Sequence, residues 1–273
     1  MDALSMEQFW GLLLALGSAA ILYSSSGHGG ATAYLALFGL WGLAPAQMKP
    51  LALLMNVVVA GTGAVRFLKA GAVPGRTVGL LLLGSVPCAF LGALVTLPAP
   101  TYRGLLGLCL LFAALRLWWR PSTQNAQRVW PPQVVVVTGA GLGFLSGVTG
   151  IGGGIFLSPV LVLSRIETPR QTAAAAAVFI VVNSVAGLLA QAHIDGLAQL
   201  PTAVPTIVVV GVVFGGGLVG SFFAAHRLAA VPLKRVLGIV LVISGLKLLS
   251  EAVDSVAAAP DEGVAQAAGP APR

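Results

Sequence analysis

Two stretches of this chain place hydroxyls, glycines and, in one case, an imidazole inside apolar sequence. They are Ser24-Ser25-Ser26-Gly27-His28-Gly29-Gly30 and Ser146-Gly147-Val148-Thr149-Gly150-Ile151-Gly152-Gly153-Gly154. Glycine lets a helix unwind and lets a ligand approach the backbone. The helix that restarts after each stretch opens with amides that have no intrahelical acceptor and carry partial positive charge. Two such N-termini meeting near a midplane would form an anion site. The expected ligands are Ser25, Ser26, Gly27, His28, Gly29 and Gly30 from the first break. Thr149, Gly150, Gly152 and Gly153 join them from the second, and Ser146 offers a further hydroxyl. His28 is the ionisable residue within a break, and it suits a proton carrier or an anion partner. A purely structural reading stands beside this one: the glycines permit tight packing, and a neutral His28 bonds to backbone.

Asn56 and Asn183 extend the same set. They lie in corresponding apolar segments after the two breaks, and a buried carboxamide must find partners. Substrate ligand and glue between helices are equally good readings. Ser184 and Gln191 are weaker candidates on the second of these segments. Thr62 and Ser85 are expected to bond back to their own helices. Arg66 and Lys69, at a helix end, are expected to snorkel.

Several chemistries lack their residues. Asp and Glu fall at the ends or in loops, Glu167 and Asp195 among them, so no carboxylate relay is in view. The three histidines are not spaced as a metal site. Cys88 and Cys109 read as small packing residues rather than a ligand pair or disulfide. Val134–Val137 with Thr138-Gly139-Ala140-Gly141 lacks the third glycine in register and the following acid of a dinucleotide loop. No nucleophile stands beside a base. The chain reads as a non-enzyme with no cofactor and no metal.

The elements that must carry the two breaks are membrane helices. Hydrophobic types make up 57% of the 273 residues and charged types 8%, against roughly 25% charged in soluble domains. Such a chain faces lipid. Its net charge of +7 comes from single basic residues between apolar runs, which fits topology rather than nucleic-acid binding. The apolar segments are Trp10–Ser26, Ala31–Leu43, Pro50–Phe67, Val78–Leu97, Tyr102–Trp119, Val134–Ser146, Gly153–Ser164, Gln171–Ala192, Ala203–Phe223 and Pro232–Leu249. The first, second, sixth and seventh fall short of, or barely reach, the ~20 residues that span hydrocarbon. The pairs Gly143/Gly147, Gly211/Gly215 and Gly216/Gly220 fit small-xxx-small helix packing.

The order of features repeats. Gly27-His28-Gly29-Gly30 aligns with Gly150-Ile151-Gly152-Gly153, and Pro45-Ala46-Gln47 with Pro169-Arg170-Gln171. Residues 1–119 and 134–250 therefore read as two transmembrane repeats, joined by a polar linker at 120–133 and followed by a disordered tail at 251–273. If each half crosses an odd number of times, Arg66, Lys69, Arg76, Arg116, Arg120, Arg128, Arg165, Arg170, Arg227, Lys234 and Arg235 share one face. Those are 11 of the 15 basic residues, leaving Lys49, Arg103, Lys247 and Arg273 opposite. The positive-inside rule favours that arrangement. It makes the repeats inverted, with both termini outside the cytoplasm of a bacterial inner membrane. The expected fold is an all-α polytopic membrane protein. It has two inverted repeats of about five hydrophobic segments, each with a glycine-broken short helix pair.

At the breaks the chain resembles the sulfite exporter (TauE/SafE) family of bacterial membrane transporters. The second half carries the resemblance through Gly147-Val148-Thr149-Gly150-Ile151-Gly152-Gly153-Gly154, Ser158-Pro159 and Pro169. The first half, Gly27-His28-Gly29-Gly30 with Pro45 and Met48-Lys49-Pro50, is similar to a branch with histidine there. The resemblance covers roughly residues 10–250. It implies movement of a small sulfur-containing anion such as sulfite, a sulfonate or thiosulfate. The expectation is a secondary transporter, with export favoured, acting on a small anion within membrane lipid. A nucleic-acid partner is not expected, and a homo-oligomer is compatible with the composition. An anion channel using the same residues, or a membrane assembly protein, are the alternatives.

Overall fold

The computed structural model describes residues 5–25, 29–118, 128–195, 200, 203–223 and 238–255. Those residues are all helical, with turns between. The helices are α1 (Met6–Ser25), α2 (Ala31–Leu40), α3 (Pro45–Lys69), α4 (Gly75–Leu94), α5 (Ala99–Trp118), α6 (Pro132–Thr149), α7 (Gly154–Leu163), α8 (Pro169–Asp195), α9 (Ala203–Phe223) and α10 (238–255). Six of them, α1, α3, α4, α6, α8 and α9, are long and apolar enough to cross a membrane. Leu14, Leu83, Leu115, Val137, Leu189 and Ile207 point outward. In water such a surface would drive association; here it is the face that meets lipid.

The first and sixth segments are longer than their apolar runs suggest. α1 has 20 residues and α6 has 18, and both reach spanning length. For α1 the extension has a local cause. Ser5 and Gln8 form a reciprocal cap, Ser5 N–H to Gln8 Oε1 at 3.1 Å and Gln8 N–H to Ser5 Oγ at 3.3 Å, which starts the helix before its apolar run. Thr168 and Gln171 cap α8 in the same way. Asp195, expected in a loop, lies in the last turn of α8, and His193 lies there with it.

Only α2 and α7 stay short, at 10 residues each, about 15 Å or half the hydrocarbon thickness. Each returns to the start of the helix before it. The Trp41 indole N–H after α2 donates to the carbonyl of Gln8 in the first turn of α1, at 3.0 Å. The amide of Arg128, just before α6, donates to the carbonyl of Arg165, just after α7, at 3.2 Å.

Close glycine contacts fix helix directions. Gly139, Gly143 and Gly147 of α6 lie against Leu81, Ser85 and Ala89 of α4, so both sequences advance together and these helices are parallel. A Cβ at Gly84 or Gly147 would run into the facing backbone carbonyl, of Val136 or Ala89. Gly216 and Gly220 of α9 meet Gly17 and Ile21 of α1 in the same parallel sense. Gly211 and Gly215, expected to pack as a pair, have open space around them. Inside this frame α3 and α8 cross antiparallel. Leu53 meets Gly187, and Asn56 meets Ser184. One apolar core joins α1, α2, α3, α5, α9 and α10 through Leu16, Phe38, Leu51, Leu106, Val213 and Leu248. A smaller one joins α4, α6, α7 and α8 through Leu81, Val135, Leu157 and Phe179.

Candidate functional site between two helix breaks

α3 and α8 each bring one side chain to the place where the breaks come together. Both begin with proline, and the twelfth residue is Asn56 in α3 and Ile180 in α8. A Cβ built on Gly29 would lie 2.5 Å from Asn56 Oδ1 and 3.0 Å from Ile180 Cγ2. One built on Gly152 would lie 2.5 Å from Asn56 Nδ2 and 3.1 Å from Ile180 Cγ2. Two glycines 123 positions apart thus face the same two side chains. Any β-carbon would displace the carboxamide.

The Asn56 carboxamide ties the breaks to each other. Its Oδ1 accepts from the amide of Ala31, the first residue of α2, at 3.1 Å. Its Nδ2 donates to the carbonyl of Ile151 at 3.1 Å and to Ser184 Oγ at 3.4 Å. One backbone partner is a donor and the other an acceptor, so the amide orientation is fixed. Asn56 is fully buried midway along α3. The two readings open for Asn56 converge on one geometry: it bridges helices, and it does so where a ligand would sit.

The breaks end alike. Gly30 (φ 92°) precedes α2 and Gly153 (φ 76°) precedes α7, both in the left-handed region. That region favours glycine because it lacks Cβ. Thr149 Oγ1 bonds back to Leu145 O at 2.7 Å and receives the Ile151 amide at 3.4 Å, so it props the break. The Thr149 carbonyl accepts from Tyr102 Oη at 3.0 Å.

Three buried polar atoms around the breaks have no hydrogen-bond partner among the described residues: Tyr34 Oη, Ser146 Oγ and Asn183 Oδ1. Tyr34 Oη lies against Gly30, and Ser146 against Gly153 beside the Phe179 ring. Asn183 donates Nδ2 to Phe179 O one turn back, at 2.9 Å, and leaves its oxygen unmatched. Buried polar groups are nearly always matched, so these three stand out among the described residues.

The structure therefore joins Gly29, Gly30, Asn56, Thr149, Gly150, Gly152 and Gly153 in one region, with Asn183 to one side. Ser25 ends α1; Ser26, Gly27 and His28 lie outside the described residues. Thr62 bonds back to Val59 O at 2.8 Å as expected. Ser85 does not bond back: its hydroxyl is buried and unmatched at the α4–α6 contact. Arg66, exposed at the end of α3, reaches the carbonyl of Ser221 in α9.

Lys49 departs furthest from expectation. Placed by sequence on an outer face, it lies inside α3 at 8% exposure. Its Nζ donates to Ala93 O at 3.1 Å, and its stem packs against Gly150. The signal was present in Pro45, which fits a first helical position. Starting α3 there puts Lys49 on a buried face.

The model of the sulfite exporter TauE/SafE family matches residues 12–248, which include both breaks and every helix at the site. The chain belongs to this family. It is similar to the probable membrane transporter protein y4hK of Sinorhizobium fredii (strain NBRC 101917 / NGR234). The two are 35% identical over 244 residues, covering 88% of this chain and 97% of the relative. No solved structure matches. This member of the TauE/SafE family is thus a membrane transporter, and its breaks converge on Asn56.

Proposed function

We propose that the protein is a secondary transporter, not an enzyme, for a small sulfur-containing oxyanion of the sulfite, sulfonate or thiosulfate class. The observation that carries this reading is the meeting of two glycine breaks, distant in sequence, at one buried carboxamide midway along α3. Short, glycine-interrupted helices paired at the membrane middle are the transporter form of a helix-terminus anion site. In the state described, Asn56 occupies the Ala31 amide. Substrate arrival would separate the breaks. Asn56 Nδ2, Ser184 Oγ and the Ala31 amide would then turn to the anion, with Ser25, Ser26 and His28 as the further ligands this reading expects.

The reading includes two inverted repeats, at 1–119 and 134–250. Its support is directional. α2 returns to the start of α1, α3 leaves from there, and α4 comes back, since Lys49 near the start of α3 reaches Ala93 near the end of α4. α6 runs parallel to α4, hence opposite to α1. On this reading Arg66, Lys69, Arg76, Arg116, Arg128, Arg165 and Arg170, seven of the 11 clustered basic residues, fall on the face opposite the N-terminus, and the other four lie outside the described residues. By the positive-inside rule that face is cytoplasmic in a bacterial inner membrane, with both termini outside. An inside-negative potential drives an anion outward by about 2.3 kcal/mol per charge per 100 mV, so export needs no carboxylate relay.

The test is flux from proteoliposomes loaded with labelled sulfite, thiosulfate or a sulfonate, under imposed potentials of either sign. The reading predicts release that saturates, follows the potential and is accelerated by external substrate. It also predicts loss of release in Asn56→Leu and a marked fall in His28→Ala. No release above protein-free liposomes for any of these anions would overturn it.

A further inference from the structure

Lys49 is a buried ammonium, and the established family membership does not account for it. An ionisable group at membrane depth is costly and marks function by default. Among the described residues, three other cations near the packed helices have partners or water. Arg103 and Lys247 pair with Glu251, and Lys247 also donates to the carbonyls of Gly39 and Leu40. Arg66 is exposed. Lys49 is 8% exposed and has no carboxylate within 4.0 Å among the described residues.

Lys49 shares its acceptor with a second donor. Its Nζ and the Gln191 Nε2 of α8 both point at the carbonyl of Ala93, at 3.1 Å and 2.8 Å. That carbonyl, with two lone pairs, takes one hydrogen from each group. An ammonium has three N–H donors and a carboxamide nitrogen two, so three N–H remain for another acceptor. Gln191 is half-buried, so this cluster opens toward the surface. The Lys49 stem lies against Gly150, next in sequence to Ile151, whose carbonyl holds Asn56. Along α3 the step from Lys49 to Asn56 is seven residues, and along α8 the step from Gln191 to Ser184 is also seven, about 10 Å in each case.

We propose that Lys49 and Gln191 form a second anion subsite, at the mouth on the side where α3 begins, about 10 Å along the helices from Asn56. It rests on the oxyanion-transport reading and adds a residue that captures or releases the anion beside the second break. The anion would take the free donors of Lys49 Nζ and Gln191 Nε2 and supply the missing negative charge. Since the pair is charge-assisted, its removal weakens binding by about 10-fold or more.

The experiment is sulfite transport in proteoliposomes, comparing wild type, Lys49→Met, Lys49→Arg, Gln191→Leu and Asp195→Asn. Asp195 is one turn beyond Gln191 in the sequence of α8 and is the acid that would make Lys49 a structural ion pair. The subsite predicts a KM raised about 10-fold in Lys49→Met and about 3-fold in Gln191→Leu, with maximal rates within about 3-fold of wild type. Lys49→Arg keeps KM near wild type, and so does Asp195→Asn. An unchanged KM in Lys49→Met, or in Gln191→Leu should Lys49→Met not fold, overturns the subsite. A KM rise in Asp195→Asn matching that in Lys49→Met also overturns it, in favour of the ion pair. If Asn56→Leu is inactive while Lys49→Met keeps its KM, the subsite alone fails. If wild type moves no sulfite, the transport reading fails for that anion and the subsite with it.

Discussion

The two glycine breaks are alike in backbone and unlike in what faces them. Each ends in a left-handed glycine, Gly30 or Gly153, and each is followed by a 10-residue helix that turns back. The long helix after each begins with proline. Yet the twelfth residue of that helix is the polar Asn56 in one half and the apolar Ile180 in the other. At the fifth position Lys49 in α3 stands against Ala173 in α8. Both long helices carry polar groups, Ser184 and Gln191 on α8 among them, but Asn56 and the charged Lys49 come from α3. The two breaks gather backbone amides alike, and the difference in what faces them is what would give the proposed site its chemistry. A perfectly symmetric pair with Ile at both twelfth positions would leave the Ala31 amide and the Ile151 carbonyl without their shared partner.

The most disruptive way to break this comparison is to make the first half like the second. Asn56→Leu orphans one buried donor and one buried acceptor. It is expected to cost about 3 kcal/mol and to abolish substrate flux, as measured by thermal unfolding in detergent and by liposome assay. Substitution of the paired glycines should separate steric crowding from backbone strain. Gly152→Ala meets Asn56 Nδ2 and Ile180 and also forces alanine to φ 82°, whereas Gly29→Ala meets Asn56 Oδ1 and Ile180 with no positive φ to adopt. The first should cost about 3 kcal/mol and the second about 1 to 2. Ile180→Val, on the apolar side, should cost under about 1.5 kcal/mol and leave transport intact. Smallest of all, Gly211→Ala enters open space and should raise stability by about 0.5 kcal/mol, visible as a slightly higher unfolding temperature.

Much of this frame is legible in sequence because it depends on short-range rules. Apolar runs and glycine breaks mark the helices and the two candidate loops, while the proline starts at Pro45 and Pro169 lie just outside the apolar runs. The ends of α1 and α8 were misjudged where hydrophobicity stopped but capping or helical continuation did not. Ser5 with Gln8 is the clearest case, since S-x-x-Q was present and unused. Asn56 was legible as a buried amide, but its two partners come from other segments and no local pattern names them. Lys49 was missed for a related reason. Its burial follows from the packing of α3 against α8 and from the approach of its own stem to Gly150 and its tip to Ala93, all long-range facts, while its position inside a helix follows from Pro45. Gly211 and Gly215 had the spacing of a packing pair, yet helix rotation in α9 turned them away from α1.

The central claim is that an oxyanion binds where the two breaks meet. Its most direct test is an anomalous difference map from crystals of the protein soaked in selenite, a heavier analogue of sulfite, with and without excess sulfite. The account predicts a selenium peak with its oxygens about 3 Å from Asn56 Nδ2, between Gly29 and Gly152, and removed by sulfite. A sulfite-displaceable peak elsewhere in the protein, with none beside Asn56, would contradict it.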